Sequence, residues 1–194
     1  MEYDIFISHA WNNDKSNRNN HYRCKQLCNI LINNGYKVWF DDYNLIGNID
    51  NQIINGITNS KIVLICLTEE YYNKINNGTN EHLINNNCYK EWNCSLISNK
   101  IIIPIIMEES FKTIYLKEAY IFNIYLNNEI FIDLSNDIFT KDSLDLLIKK
   151  IEYYNNKNNI KTKNNIKTKN NKNTFLKIYR SLCISSSHKY IIYI

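Results

Sequence analysis

From Ile62 to Leu67, within the run Lys61–Leu67 (KIVLICL), every residue is apolar, and Ile62, Val63 and Ile65 are β-branched. A strand that is apolar on both faces must be covered on both sides, which is the pattern of a buried strand in a parallel sheet. Two other segments read the same way: Ile5–Ile7 within Tyr3–Trp11 (YDIFISHAW), and Lys100–Met107 (KIIIPIIM). Tyr36–Phe40 (YKVWF) and Glu129–Leu134 (EIFIDL) add two shorter strands. Pro104 cannot donate to a ladder, so it is expected at a strand end or at an unpaired position.

Between these runs the apolar period becomes helical. Cys24, Leu27, Cys28 and Leu31 share a face over His21–Asn34, and Gly35 follows as a stop. Ile49, Ile53 and Ile57 mark a short helix. The polar stretch Thr68–Asn87 holds a short helix and a long loop, and Phe111–Tyr125 one short helix. Asn87 is expected to cap a helix whose Cys88, Trp92 and Leu96 face inward, with Glu91 near its start. Leu144, Leu147, Ile148 and Ile151 place a last helix at Asp142–Tyr154. Strands alternating with helices define an α/β protein: a flavodoxin-like, doubly wound, five-stranded parallel sheet flanked by helices. Right-handed crossovers bring the ends of the first three strands to one edge, where Ser8, His9, Asp41 and Asp42 stand.

The chain has 194 residues and a net charge of +4, unevenly spread. Residues 155–194 hold nine Lys/Arg and no acid, leaving 14 basic against 19 acidic residues, or −5, before them. A mildly acidic body argues against a nucleic-acid groove there. After Tyr154 the hexapeptide NNIKTK repeats at Asn158–Lys163 and Asn164–Lys169. We therefore divide the chain into a domain over residues 1–154, an Asn/Lys-rich linker over 155–174 expected to be disordered, and a tail over 175–194. The abundant Asn is attributed to A/T-rich codons. Six cysteines without a CxxC pair, no signal peptide and no apolar run long enough for a bilayer suit a cytoplasmic protein with reduced thiols. The sequons at Asn77 and Asn93 are then accidental.

The usual chemical signatures are missing. No GxGxxG, GxxxxGK[ST] or GxSxG occurs. Cys24–Cys28 has no suitably spaced partner, and Glu81–His82 lacks a second His, so no metal site is expected. Asp41–Asp42 reads as a solvated loop. What remains is Glu91, a carboxylate at a helix start facing the expected cleft, where the dipole favours its ionised form. Such a group can stabilise an oxocarbenium-like sugar, or it can simply complement the dipole.

The ordered blocks YDIFISHA, GYKVWFDD, LIGNIDNQIINGITNSKIVLICLTEEYY, NNCYKEW and IIIPIIM resemble the Toll/interleukin-1 receptor (TIR) domain over about Glu2–Tyr154. The resemblance implies one of two functions. One is an NAD⁺ glycohydrolase that releases nicotinamide with ADP-ribose or a cyclic form. The other is a non-catalytic TIR–TIR interaction module that assembles a signalling complex. In the enzymatic case the Glu of the family's C..E block, here Glu91, is catalytic. Ser8 and His9 then line the nicotinamide end, and Trp39, Asp42 and Gly47 frame the entrance. NAD⁺ is a substrate, and no cofactor is implied. Self-association through the loop Asp42–Ile49 is expected, with other TIR proteins as further partners. Two departures stand out: the loop lacks the proline of many animal adaptors, and His9–Ala10–Trp11 replaces the Arg that some enzymatic members carry after the first strand.

Overall fold

Strand β1 (Tyr3–His9) lies between β2 (Val38–Trp39) and β3 (Ser60–Leu67), paired in parallel with both. In this computed structural model the described residues are 2–44, 47–76, 86–112, 125–126 and 129–164, with side chains up to residue 156. The sheet continues through β4 (Ile101–Ile106) and β5 (Ile132–Asp133), giving the order β2-β1-β3-β4-β5 with every pair parallel. This is the flavodoxin-like order, in which strand order reverses between β1 and β3 and opens a crevice beyond their carboxyl ends.

The two edge strands are shorter than their apolar runs suggest. At β2 the Phe40 amide turns away from the ladder and donates to Asn44 Oδ1 at 3.0 Å. At the other edge Ile130 is largely exposed, so β5 begins only at Ile132. Pro104 sits in the middle of β4, in register with Ile65 rather than at an end. The β5 ladder starts after it, at Ile105, so no bond to that neighbour is asked of the proline.

Asparagine side chains start three of the helices. Asn19 accepts from the Tyr22 amide before α1 (Asn20–Asn33), and Asn48 from the Asn51 amide before α3 (Ile49–Thr58). Asn86, one residue ahead of the expected cap, accepts from the Tyr89 amide before α5 (Asn87–Ile97). Helix α2 is the single turn Asp41–Asn44, and α4 (Glu69–Asn76) lies in the polar stretch after β3. Helix α6 runs over Lys141–Asn164, continuing past the amphipathic segment that ends at Tyr154. The remainder of the linker and the tail lie outside the described residues, as do the sequon at Asn77, Glu81–His82 and most of Phe111–Tyr125.

Alternation along β1 sorts the core into two layers. Phe6 joins Val63, Ile65, Ile53, Ile57, Tyr71 and Trp92 in one buried cluster under α3, α4 and α5. Ile5 and Ile7 point the other way, and α1 packs on β1 and β2. The first layer includes a close approach: Trp39 stacks on Phe6 with ring centroids 4.3 Å apart, and Gly56 lies directly against its indole. A Cβ on Gly56 would stand 2.6 Å from Trp39 Cε2. Gly56→Ala should therefore destabilise the fold by about 1–3 kcal/mol, read by urea denaturation. A wild-type midpoint in that variant would mean that the indole can move aside freely.

Candidate active site

Ser8, two residues after Phe6, faces the same layer and is fully buried at the carboxyl end of β1. Its hydroxyl donates to Glu91 Oε2 at 2.6 Å and lies 2.7 Å from the Tyr71 hydroxyl. A serine has one proton to give, so while it donates to Glu91 the Tyr71 phenol must donate to it. The result is a three-residue relay, Tyr71 to Ser8 to Glu91, drawn from α4, β1 and α5. It sits at the β1/β3 reversal, where the fold places ligands.

Glu91 differs from its expected character. Capping by Asn86 puts it in the second turn of α5, beyond the strongest part of the helix dipole. It is only 9% exposed, not an open edge residue. Burial pushes its carboxyl up to about 8 from an ordinary 4.5, against the opposing pulls of the Ser8 hydrogen bond and the Lys74 charge. Desolvation outweighs the dipole. The protonated form is the resting one near neutrality, and an incoming cationic group favours ionisation. Cys88, one turn earlier on α5, points its sulfur at the His9 carbonyl at 3.5 Å, and burial keeps its thiol neutral.

His9, the next residue of β1, faces the opposite layer. Its Nε2 meets Nδ1 of His21 at 2.7 Å, and His21 Nε2 meets Asp42 Oδ1 at 3.0 Å. Burial, reinforced by His21, lowers the His9 pKa to about 3. The 3.8 Å approach of His9 to Asp41 is accordingly not an ion pair. Trp11 stacks on His21 with centroids 4.1 Å apart and donates its indole N–H to Asp41 Oδ2 at 2.8 Å. Asp42 also pairs with Lys25 at 2.8 Å.

The expected site residues therefore fall into separate groups. Ser8 and Glu91 touch directly. His9 and Asp42 belong to a second cluster, linked through His21. Trp39 is 3% exposed and packs in the core between Phe6 and Gly56, so it does not stand at an open entrance. Gly47 has φ +85, a left-handed backbone that other residues resist, in a loop whose Leu45 and Ile46 lie outside the described residues. Tyr71 and His21 escaped the sequence reading because neither belongs to a spaced motif. The one signal for Tyr71 was an aromatic in a polar stretch directly after a buried strand.

A further network holds the β1–α1 loop beside the crevice. Asp14 pairs with Arg18 at 2.7 Å, and Arg18 also reaches the Ser135 carbonyl and Asp137. Buried Arg23 donates to the carbonyls of Met107, Leu134 and Asn136, beyond β4 and β5. Buried Glu108 accepts from the amides of Lys15 and Glu69, fixing the loop to the start of the helix that carries Tyr71.

An α/β domain with a buried carboxyl and hydroxyl pair at its strand-order reversal is thus defined, and comparison with known proteins gives its family. The TIR domain family model matches residues 5–148, and the chain belongs to that family. A 2′ cyclic ADP-D-ribose synthase of Bacteroides thetaiotaomicron, BtTIR, is 32% identical over 106 residues. The match covers 54% of this chain and 32% of that protein, so the chain spans about a third of its relative's length. The TIR domain of the Toll-related receptor TRR-2 from Hydra magnipapillata shares the fold. Its TM-score is 0.53 at 19% identity, over 77% of this chain and 98% of that one. No helix among the described residues is long and apolar enough to cross a membrane.

The raised pKa of Glu91 has a consequence for stability. Between pH 4.5 and about 8 the native protein holds a proton that the unfolded chain releases. The resulting stabilisation is complete below pH 4.5 and is lost as pH rises through about 8. Glu91→Gln cannot ionise, so its unfolding free energy should gain on wild type between about pH 5 and about pH 9. A difference that stays constant with pH would mean the carboxyl is effectively in water.

Proposed function

We propose that this TIR domain cleaves NAD⁺ at the bond between nicotinamide and ribose, with Glu91 as the catalytic carboxylate. The observation that carries the reading is the buried Glu91 carboxyl, hydrogen-bonded to Ser8 in the crevice at the strand-order reversal. Similarity to a protein named as a cyclic ADP-ribose synthase supports the same chemistry. As the glycosidic bond breaks, its electron pair leaves with the nicotinamide nitrogen and positive charge develops on the ribose. A carboxylate in a low-dielectric site stabilises that charge strongly. Ser8, held by Tyr71, orients the carboxylate and remains its donor as it ionises. Water or a nucleophile within the same molecule then captures the sugar, giving ADP-ribose or a cyclic form. Contacts between copies through the Asp42–Ile49 loop complete the site, and His9 and Asp42 act in holding that loop.

Nicotinamide release from NAD⁺ by concentrated or bead-clustered protein tests the reading. Glu91→Gln should lower the rate on the order of a hundredfold or more, the usual cost of one preorganised electrostatic contact. In wild type, kcat/KM should climb with pH and level off above about 8, as the free enzyme's carboxyl ionises. Ser8→Ala removes a bond that lowers the Glu91 pKa, so it should move that limb to higher pH. Equal rates in wild type and Glu91→Gln would overturn the assignment. Clustered wild type that releases no nicotinamide would leave a TIR–TIR assembly module as the function.

Assembly has its own measure. Specific activity should rise with protein concentration, and Gly47→Pro, incompatible with φ +85, should reduce it while the domain still unfolds cooperatively. Activity per molecule that is constant on dilution would mean each copy holds a complete site.

A further inference from the structure

His9, His21 and Asp41 come from β1, α1 and α2, and one donor atom of each lies within 4.8 Å of the others. We propose that these three side chains bind a divalent transition cation of the zinc class, fastening the end of β1 to α1 and to the turn that opens the Asp42–Ile49 loop. The donor set, two imidazoles and a carboxylate with solvent as fourth ligand, suits zinc or cobalt rather than magnesium or calcium.

The geometry around each ligand favours this reading over a simple hydrogen-bonded pair. The His9 and His21 rings lie 27° from coplanar with centroids 5.0 Å apart, so a 2.7 Å contact means they meet edge to edge, nitrogen against nitrogen. One proton can bridge those atoms, and a cation can replace it while also engaging Asp41. Ligands about 2.0–2.1 Å from a tetrahedral zinc stand roughly 3.3 Å from one another. The His9–Asp41 separation of 3.8 Å is close to that, and the imidazoles need to part by only about 0.6 Å. Histidine 21 stands in the first turn of α1 and is partly exposed, so it has room to give.

Each ligand is also oriented from behind, as metal ligands are. His21 presents its far nitrogen to Asp42 at 3.0 Å, and Lys25 holds Asp42 in turn at 2.8 Å. His9 is held by burial, its ring stacked on Phe40 with centroids 5.1 Å apart. Asp41 receives the Trp11 indole at 2.8 Å and the Asp42 amide at 3.1 Å. The rings of Phe40, buried, and Trp11, facing solvent, stack against the two histidines.

Trp11 supplies the readout, because its ring lies 4.1 Å from His21. Full-length protein stripped with chelator and titrated with Co²⁺ should take up one ion per chain. The bound ion should show visible absorption of tetrahedral type and quench tryptophan fluorescence, and Zn²⁺ should displace it. Trp11→Phe should retain the absorption and lose most of the quenching. His21→Ala and Asp41→Asn, each checked for unchanged far-ultraviolet circular dichroism, should weaken Zn²⁺ binding by more than about tenfold. Should His21→Ala fail to fold, Asp41→Asn decides alone. Absence of saturable binding at micromolar Co²⁺ or Zn²⁺ would overturn the proposal. So would affinity unchanged in the folded variants, which would assign the metal to thiols elsewhere.

Discussion

Everything in this molecule turns on β1 being enclosed on both faces. A strand with helices on each side must send successive side chains into different layers. Phe6 and Ser8 go to the layer of α3, α4 and α5, while Ile7 and His9 go to the layer of α1. The strand ends at the reversal of strand order, so its last two side chains are polar and yet remain buried. Ser8 meets a carboxyl and a phenol, and His9 meets an imidazole. Adjacent residues therefore serve two chemically distinct clusters, one on each side of the sheet.

Desolvation governs both clusters, with opposite results. At Glu91 it favours the protonated carboxyl, and one hydroxyl and a distant ammonium do not compensate. The carboxyl thus rests close to ionisation near neutral pH, where a modest change in its surroundings shifts its charge. At His9 it favours the neutral ring, which leaves a lone pair available within the cluster. Exposed groups at the same residue types would have done neither.

Precision at the crevice comes from residues that take no part in it. Arg18 and Arg23 gather carbonyls beyond β4 and β5, and Glu108 gathers amides from the β1–α1 loop and α4. These are charged groups with several hydrogen bonds each, and removing one would strand its partners in the interior. They clasp the ends of the strands where the sheet ladder has already finished. Tyr71 inherits its position from this clasp, because α4 begins at Glu69, whose amide Glu108 holds.

The sequence alone determined the architecture. Unbroken apolar runs at Ile5–Ile7, Ile62–Leu67 and Ile101–Ile106 admit only a sheet covered on both faces, and helical spacing between them makes it parallel. Ser8 and His9 were legible as candidates because they follow the first of those runs, and Glu91 because it stands near a helix start in the block that resembles the family's C..E. Tertiary structure decided the rest. It limited β2 and β5 to two residues each, since edge pairing depends on what the neighbouring backbone can satisfy. It turned Trp39 into a core ring by setting Gly56 beneath it. It made Glu91 a buried, proton-holding group, because solvent exposure is a property of what surrounds a residue and not of its place in a helix. Finally, it joined Tyr71 to Ser8, and His21 to His9 and Asp42, residues whose spacing along the chain carries no period. Contacts of that kind arise only when separate elements close over one strand end, and no local pattern records them.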